Sequence, residues 1–449
     1  MTIAADQIKP DTTLLSEMRR LAGLSFPIVI SMAAATLIGV IDTIMIAPLG
    51  TLPLAAASIT TFVLIVFYSG LYGFISAIGV RMAEAHGKSH PESLSQATRT
   101  GLWIGLVSGT VGMFVMLSLR PVLPLIGQPP EVVALVGGYW TAMAVMLIPF
   151  TLFYALKGLF DAIDAPWIGV GLAFLAVALN VPANWILIHG IGGWDGFGLL
   201  GAGLASLISQ TVSLGLAWII WRRASLTKDS RLPVARSAQE RRIQLKEGTT
   251  IATGYIGEGG AYACTGLMMG WLGATALAAN QIVNAVAGVL YMVPLGVAIA
   301  VSIRVGQAIG AGNRHRLRRI GLAALGLIIG WMTVVMSCLL VTRGWLANQL
   351  SNDPEVIGIA TGLFLVVAAM QVADGVQGTM LGAARGMTDN TIPVAITMVC
   401  YWVIALPAAY VLAFVWDWGP SGIWIGYGMG LALAATAVTT RFFLRAGGD

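Results

Sequence analysis

Charge is scarce in this 449-residue chain: Asp, Glu, Lys and Arg together make up only 10% of it. A water-soluble domain carries roughly 25% charged residues, because its surface must be solvated, so a large soluble globule is excluded. Cysteine is scarce too. Cys264, Cys338 and Cys400 lie singly inside apolar runs with no C-x-x-C spacing, which excludes a disulfide framework and leaves the redox compartment open. The four histidines (His86, His90, His189 and His315) fall at the ends of apolar runs or between them. They lack paired ligand spacing, so no metal site and no cofactor are expected. A cleavable leader is not expected either, since the polar first twenty residues end in Arg19-Arg20 and run straight into a long apolar stretch.

Apolar residues are what the chain has in abundance. They make up 57% of it, and the mean hydropathy is +0.84. Runs of about twenty apolar residues, enough to cross a bilayer core of about 30 Å, recur from end to end. They predict spans at 21–47, 54–83, 93–119, 131–160, 167–189, 198–221, 248–270, 278–309, 316–342, 355–385, 392–415 and 421–444. Twelve spans place all but two of the 25 lysines and arginines on the side of the N-terminus, Arg120 and Arg343 being the exceptions. By the positive-inside rule that side is cytoplasmic, and both termini lie there. The same placement accounts for the net charge of +5 without a nucleic acid partner. The fold class expected is an all-α polytopic membrane protein, with a tail at 1–20, a first lobe at 21–221, a solvated cytoplasmic linker at 222–247 and a second lobe at 248–449.

The halves repeat one another. A shift of 223 residues carries Leu49-Gly50 onto Leu272-Gly273, Tyr68 onto Tyr291, Gly73 onto Gly296, Arg81 onto Arg304 and Gly87 onto Gly310. Further on, Pro130-Glu131-Val132 answers Pro354-Glu355-Val356 and Lys157-Gly158 answers Arg385-Gly386. Fixed-period self-similarity marks a duplication. Six spans being an even number, both copies enter from one side, which gives parallel six-helix lobes related by a pseudo-two-fold axis along the membrane normal.

Three acidic residues lie well inside predicted spans: Asp42, Glu258 and Asp374. A charged aspartate at mid-membrane costs on the order of 3 kcal/mol on insertion scales, and no lysine or arginine lies at their depth. Proton exchange and Na⁺ coordination are the roles to weigh against a quietly protonated structural carboxyl. Asn180 and Asn184, at i and i+4 on one face of the fifth span, match Asp42 in depth, with Pro182 between them loosening the backbone. Asp42, Asn180 and Asn184 therefore form one expected site. Glu258 and Asp374, each about 16 Å from the cytoplasmic ends of their spans, form a second. The repeat places Thr265 opposite Asp42 and Ala35 opposite Glu258, so the copies share a frame but not these acids. Gln281, Asn284 and Tyr291 in the eighth span are candidates to line a substrate cavity. Asp161 and Asp164 fall where the fourth span reaches the cytoplasm and read as helix-end residues.

The stretches "VIDTIMIAPLG", "ALAANQIV", "VPLGVAIAVSIRVGQAIGAGN" and "ADGVQGTMLGAARGMTDNTIP" resemble the multidrug and toxic compound extrusion (MATE) family, in its NorM-like branch, over nearly the whole chain. The resemblance implies a monomeric inner-membrane antiporter, not an enzyme, that exchanges amphipathic cationic drugs for H⁺ or Na⁺. It carries the family's coupling residues onto Asp42, Asn180, Asn184, Glu258 and Asp374. Two departures stand out: Met370, where relatives often have an aromatic residue, and Ala202, where some have a threonine. A lipid-linked precursor flippase of the same superfamily is the alternative. It would need several basic residues in its cavity to hold a pyrophosphate, and none lies at mid-depth. A major-facilitator transporter normally has a basic, glycine-containing motif where this chain reads "RMAEAHGKSHPES". An intramembrane enzyme would need clustered nucleophile patterns, and the candidates are scattered.

Overall fold

In the computed structural model, residues 13–126, 128–235 and 237–447 are described, residue 126 by its backbone only. Every regular element among them is helical. The long helices are α1 (Leu14–Ile46), α2 (Thr51–Gly87), α3 (Pro91–Leu119), α4 (Pro130–Ala162), α5 (Pro166–His189) and α6 (Leu199–Arg223), followed by α7 (Ala238–Trp271), α8 (Ala274–Gly310), α9 (Arg316–Leu350) and α10 (Pro354–Gly386). The last two are α11 (Thr391–Val415) and α12 (Gly419–Gly447). Proline opens α3, α4, α5 and α10, where its missing N–H would be unbonded in any case. Asp353 caps α10, its carboxylate accepting from the amides of Glu355 and Val356. In α11 two stretches, Val399–Ala405 and Val411–Val415, are wound wider than an α-helix, on either side of Pro407.

Eleven of these helices are long and apolar enough to cross a membrane. The exception is α7, whose membrane-deep part mixes glycines and tyrosines with Glu258. Large apolar side chains such as Phe62, Phe114, Val334 and Val341 are exposed on the helices, as expected where lipid, not water, is the solvent. The repeat is visible in the helices themselves. α2 and α8 have 37 residues each, and α4 and α10 have 33 each. Gly50 and Gly273, one before each long helix, take φ of 109° and 116°, which only glycine adopts freely.

Clustering of contacts gives two compact units. The first is Pro27–Tyr262 with Thr388–Met398; the second comprises, among the described residues, 13–26, Ala263–Met387 and 399–447. In the first, α4 packs against α2, α3 and α6; in the second, α10 packs against α8, α9 and α12. Close approach of α3 and α4 rests on small residues. The Thr151 hydroxyl donates to the Gly105 carbonyl at 2.7 Å, and a Cβ on Gly109 would sit 2.5 Å from that hydroxyl. The buried Trp140 indole donates to the Met116 carbonyl at 2.9 Å, so its polar atom is satisfied inside the core.

Two expectations gain detail. Most side chains of the expected linker are exposed, but it is pinned to the protein at Thr227 and Ser230, which are buried, and the Trp221 indole donates to Ser230 Oγ at 3.0 Å. Ser95 Oγ on α3 donates to the Leu232 carbonyl at 2.6 Å. Short hydroxyl side chains let this segment satisfy its polar groups on the protein instead of in water. Asp161 lies in the last turn of α4, where it is a buried partner of Lys157 Nζ at 2.8 Å. Asp164 lies just past the helix end, with φ of 59°.

Candidate functional site

The site in the first unit is built from three helices. α1 brings Asp42, which is 8% exposed. α5 brings Asn180 and Asn184, both fully buried and one turn apart. Pro182 lies inside α5 and has no N–H to offer the Ala178 carbonyl. α6 brings Ser206. That third helix comes close because its facing residues are small: a Cβ on Gly201 would lie 2.1 Å from the Leu187 carbonyl oxygen of α5.

The polar atoms form one connected set. Asn184 Nδ2 donates to Asp42 Oδ1 at 2.6 Å and to Asn180 Oδ1 at 3.0 Å. Ser206 Oγ donates to Asp42 Oδ2 at 2.6 Å, and Asn180 Nδ2 donates to Ser206 Oγ at 3.1 Å. Both carboxylate oxygens thus receive a donor, the arrangement that suits an ionised group held without a cationic side chain. Asn184 Oδ1 is buried and has no hydrogen-bond partner. The hydroxyls of Tyr68 and Tyr139 lie within electrostatic reach of Asp42, and Tyr139 is hydrogen-bonded to Thr61.

This set is reversible in its polarity. A proton arriving on Asp42 needs an acceptor, and the unpaired Asn184 oxygen supplies one after a half-turn of its amide. The Ser206 hydroxyl can rotate from donor to acceptor as well. The same oxygens (two from Asp42, one each from Asn180, Asn184 and Ser206) are also the hard donors that a small cation prefers. Proton exchange and cation coordination are both within its chemistry.

The other expected residues are placed as follows. Glu258 is half-buried on α7 in the first unit, and Asp374 is half-buried on α10 in the second. On α8, Gln281 is exposed while Asn284 and Tyr291 are half-buried. Their neighbour Asn280 is buried and accepts from the Trp424 indole at 3.0 Å, a packing role. The residue that sequence reasoning missed is Ser206. The threonine of some relatives was aligned with Ala202, but the hydroxyl that reaches Asp42 comes from one turn later on α6.

The family model MatE matches residues 27–186 and 251–411. The chain belongs to the MATE family. Among relatives, the probable multidrug resistance protein NorM of Rhodopseudomonas palustris is 30% identical over 98% of this chain and 95% of its own length. That of Deinococcus radiodurans is 31% identical over 97% of each. The Vibrio cholerae MATE transporter VcmN in its bent form superposes with a TM-score of 0.89 at 19% identity, covering 97% of this chain and 98% of that one. The eukaryotic MATE transporter AtDTX14 superposes at 0.84 with 21% identity over 96% of each. At such identities these two establish the fold alone, the twelve-helix, two-repeat architecture of MATE transporters; the NorM-like branch rests on the relatives.

Proposed function

We propose that this MATE protein is a secondary active multidrug efflux antiporter. It exports amphipathic organic cations in exchange for H⁺ or Na⁺ by alternating access. It works as a monomer in the bacterial inner membrane with both termini in the cytoplasm, the orientation that the lysine and arginine distribution favours. The observation that carries the reading is the buried Asp42, held by Asn184 and Ser206 through neutral hydrogen bonds alone. A carboxylate so placed attracts a cation or a proton and can give it up again, because the Asn184 amide and Ser206 hydroxyl that hold it carry no charge to neutralise it permanently. Glu258, Asp374, Gln281, Asn284 and Tyr291 are the further residues assigned to coupling and to substrate. The NorM name of the relatives agrees with this substrate class.

Reconstitution into liposomes tests the proposal, with pH and Na⁺ gradients imposed separately and ethidium-like cations as reporters. One gradient, or both, is expected to drive cation movement, and Asp42→Asn is expected to uncouple it. Absence of gradient-driven flux over a broad cation panel would overturn the function. Coupling retained in Asp42→Asn would overturn the site.

A further inference from the structure

One basic cluster takes no part in the site around Asp42. It lies within the first unit, where α6 runs into the segment that leads to α7. The Arg222 guanidinium sits over the rings of Trp218 and Trp221, 5.3 and 5.4 Å from their centroids, and the two indoles meet edge to face at 4.7 Å. Trp221 is buried and its indole is bonded to Ser230 Oγ, so the platform under Arg222 is fixed. Arg231 serves the helix end instead: it donates to the Ala224 carbonyl at 2.9 Å and to that of Arg222. Stacking takes up the faces of a guanidinium and leaves its N–H edge to donate. Among the described residues, the guanidinium groups of Arg222 and the exposed Arg223 form no ion pair and donate no hydrogen bond. Toward mid-membrane the exposed face of α6 is apolar. Ile208, Val212 and Ile219 follow one another at helical spacing and are exposed, and between them Gly215 leaves open space where a side chain would project. Read along α6, the surface presents an apolar stripe with a notch, then the exposed Trp218, then two arginines with unused donors.

We propose that Arg222 and Arg223, beside the Trp218–Trp221 platform, form a headgroup site for one anionic phospholipid, its phosphate on the free guanidinium edges and an acyl chain against the notch at Gly215. Three observations favour such a lipid. Positive-inside placement alone calls for charge, which a mobile lysine supplies as well; it does not call for a guanidinium set on two indoles, one of them pinned. A guanidinium edge matches a phosphate in two parallel hydrogen bonds, and from 222 to 239 the chain has one acid, Asp229, against Arg222, Arg223, Lys228, Arg231 and Arg236. The apolar stripe that adjoins the arginines suits an amphiphile and gives a free phosphate nothing to rest on. The platform belongs to one half only: the 223-residue offset puts Arg441, Leu444 and Arg445 in the places of Trp218, Trp221 and Arg222. The second half thus keeps the charge without the indoles, and provides the control.

The test uses the full chain, delipidated in detergent and titrated with dioleoylphosphatidylglycerol or dioleoylphosphatidylcholine, with retained lipid read by native mass spectrometry. The wild type is expected to hold one phosphatidylglycerol several-fold more tightly than phosphatidylcholine. Arg222→Gln keeps a planar head on the indoles without the charge, and is expected to weaken that binding about fivefold, the worth of one interfacial basic residue. Trp218→Ala removes half the platform and no charge, and is expected to weaken it as well. Arg445→Ala, the same loss of charge at the equivalent place, is expected to leave it unchanged. Equal retention of the two lipids overturns the proposal, as does unchanged binding in Arg222→Gln or in Trp218→Ala. An equal loss in Arg445→Ala would reduce the effect to summed charge, and displacement by millimolar inorganic phosphate would make this a free-phosphate site; either result overturns the lipid. No transport is measured, so the outcome is independent of the antiporter reading.

Discussion

Ser206 contributes a single hydroxyl, yet it occupies one of the two oxygens of Asp42. Hydrogen bonds to a charged group contribute about 1.5–3 kcal/mol. Ser206→Ala leaves Asp42 Oδ2 and Asn180 Nδ2 without their partner, so it is expected to lower the thermal stability of the purified protein and slow coupled efflux without abolishing it. Equal melting temperatures and rates for the two proteins would refute this. Asp42, Asn180 and Asn184 were legible in the sequence, because a carboxylate in an apolar run and two amides at i and i+4 stand out against their surroundings. Ser206 was not legible, since α6 also buries Ser209 and Ser213. Ser209 simply bonds back to the Ala205 carbonyl of its own helix at 2.7 Å. Which serine turns toward α1 depends on how α6 is rotated against α5, and that is a property of packing.

Among the elements, the turn between α5 and α6 holds the site's two asparagines in register with Ser206. Gly190 ends α5 with φ of 80°, and a Cβ there would lie 1.6 Å from the Trp194 carbonyl oxygen. Strain in the left-handed region and the clash act together, so Gly190→Ala is expected to destabilise the protein by about 2–3 kcal/mol. Thermal unfolding in detergent measures this, and a loss below the error of the method would mean that the turn yields freely. Helix positions were well predicted by hydropathy, which reports only length and apolarity. The widened turns of α11 and the docking of the linker through Thr227 and Ser230 carry no hydropathy signal. The first lie on either side of Pro407; the second follows from linker hydroxyls paired with Trp221 of α6 and a linker carbonyl paired with Ser95 of α3.

Across the whole molecule, the repeat offset of 223 was visible in the sequence from glycines, arginines and tyrosines in register. The ion pair of Arg81 at the end of α2 with Glu240 near the start of α7, at 2.7 Å, was not, because an offset gives equivalence between positions and says nothing about contact. Burial alone pushes the Glu240 carboxyl up, but the hydrogen bonds and charge of Arg81 outweigh it and hold the group below its ordinary value of 4.5. A depressed folded-state value means that the carboxylate's contribution to stability is complete above the ordinary range and fades as pH falls through the lower one. Glu240→Gln is therefore expected to lower the melting temperature at pH 7 and to make progressively less difference on acidification. A difference that stays constant from pH 7 down to the acid limit would argue against the pair as its source.

The place that answers Asp42 in the second repeat is taken by Thr265, itself buried. A dimer of identical six-helix chains would be obliged to carry every acid twice, and to bind and release its counter-ions in matched pairs. Fusion into one polypeptide lifts that constraint: one half can hold a carboxylate that the other lacks, so the number of ions handled per turnover is set by substitution at single positions and no longer by symmetry.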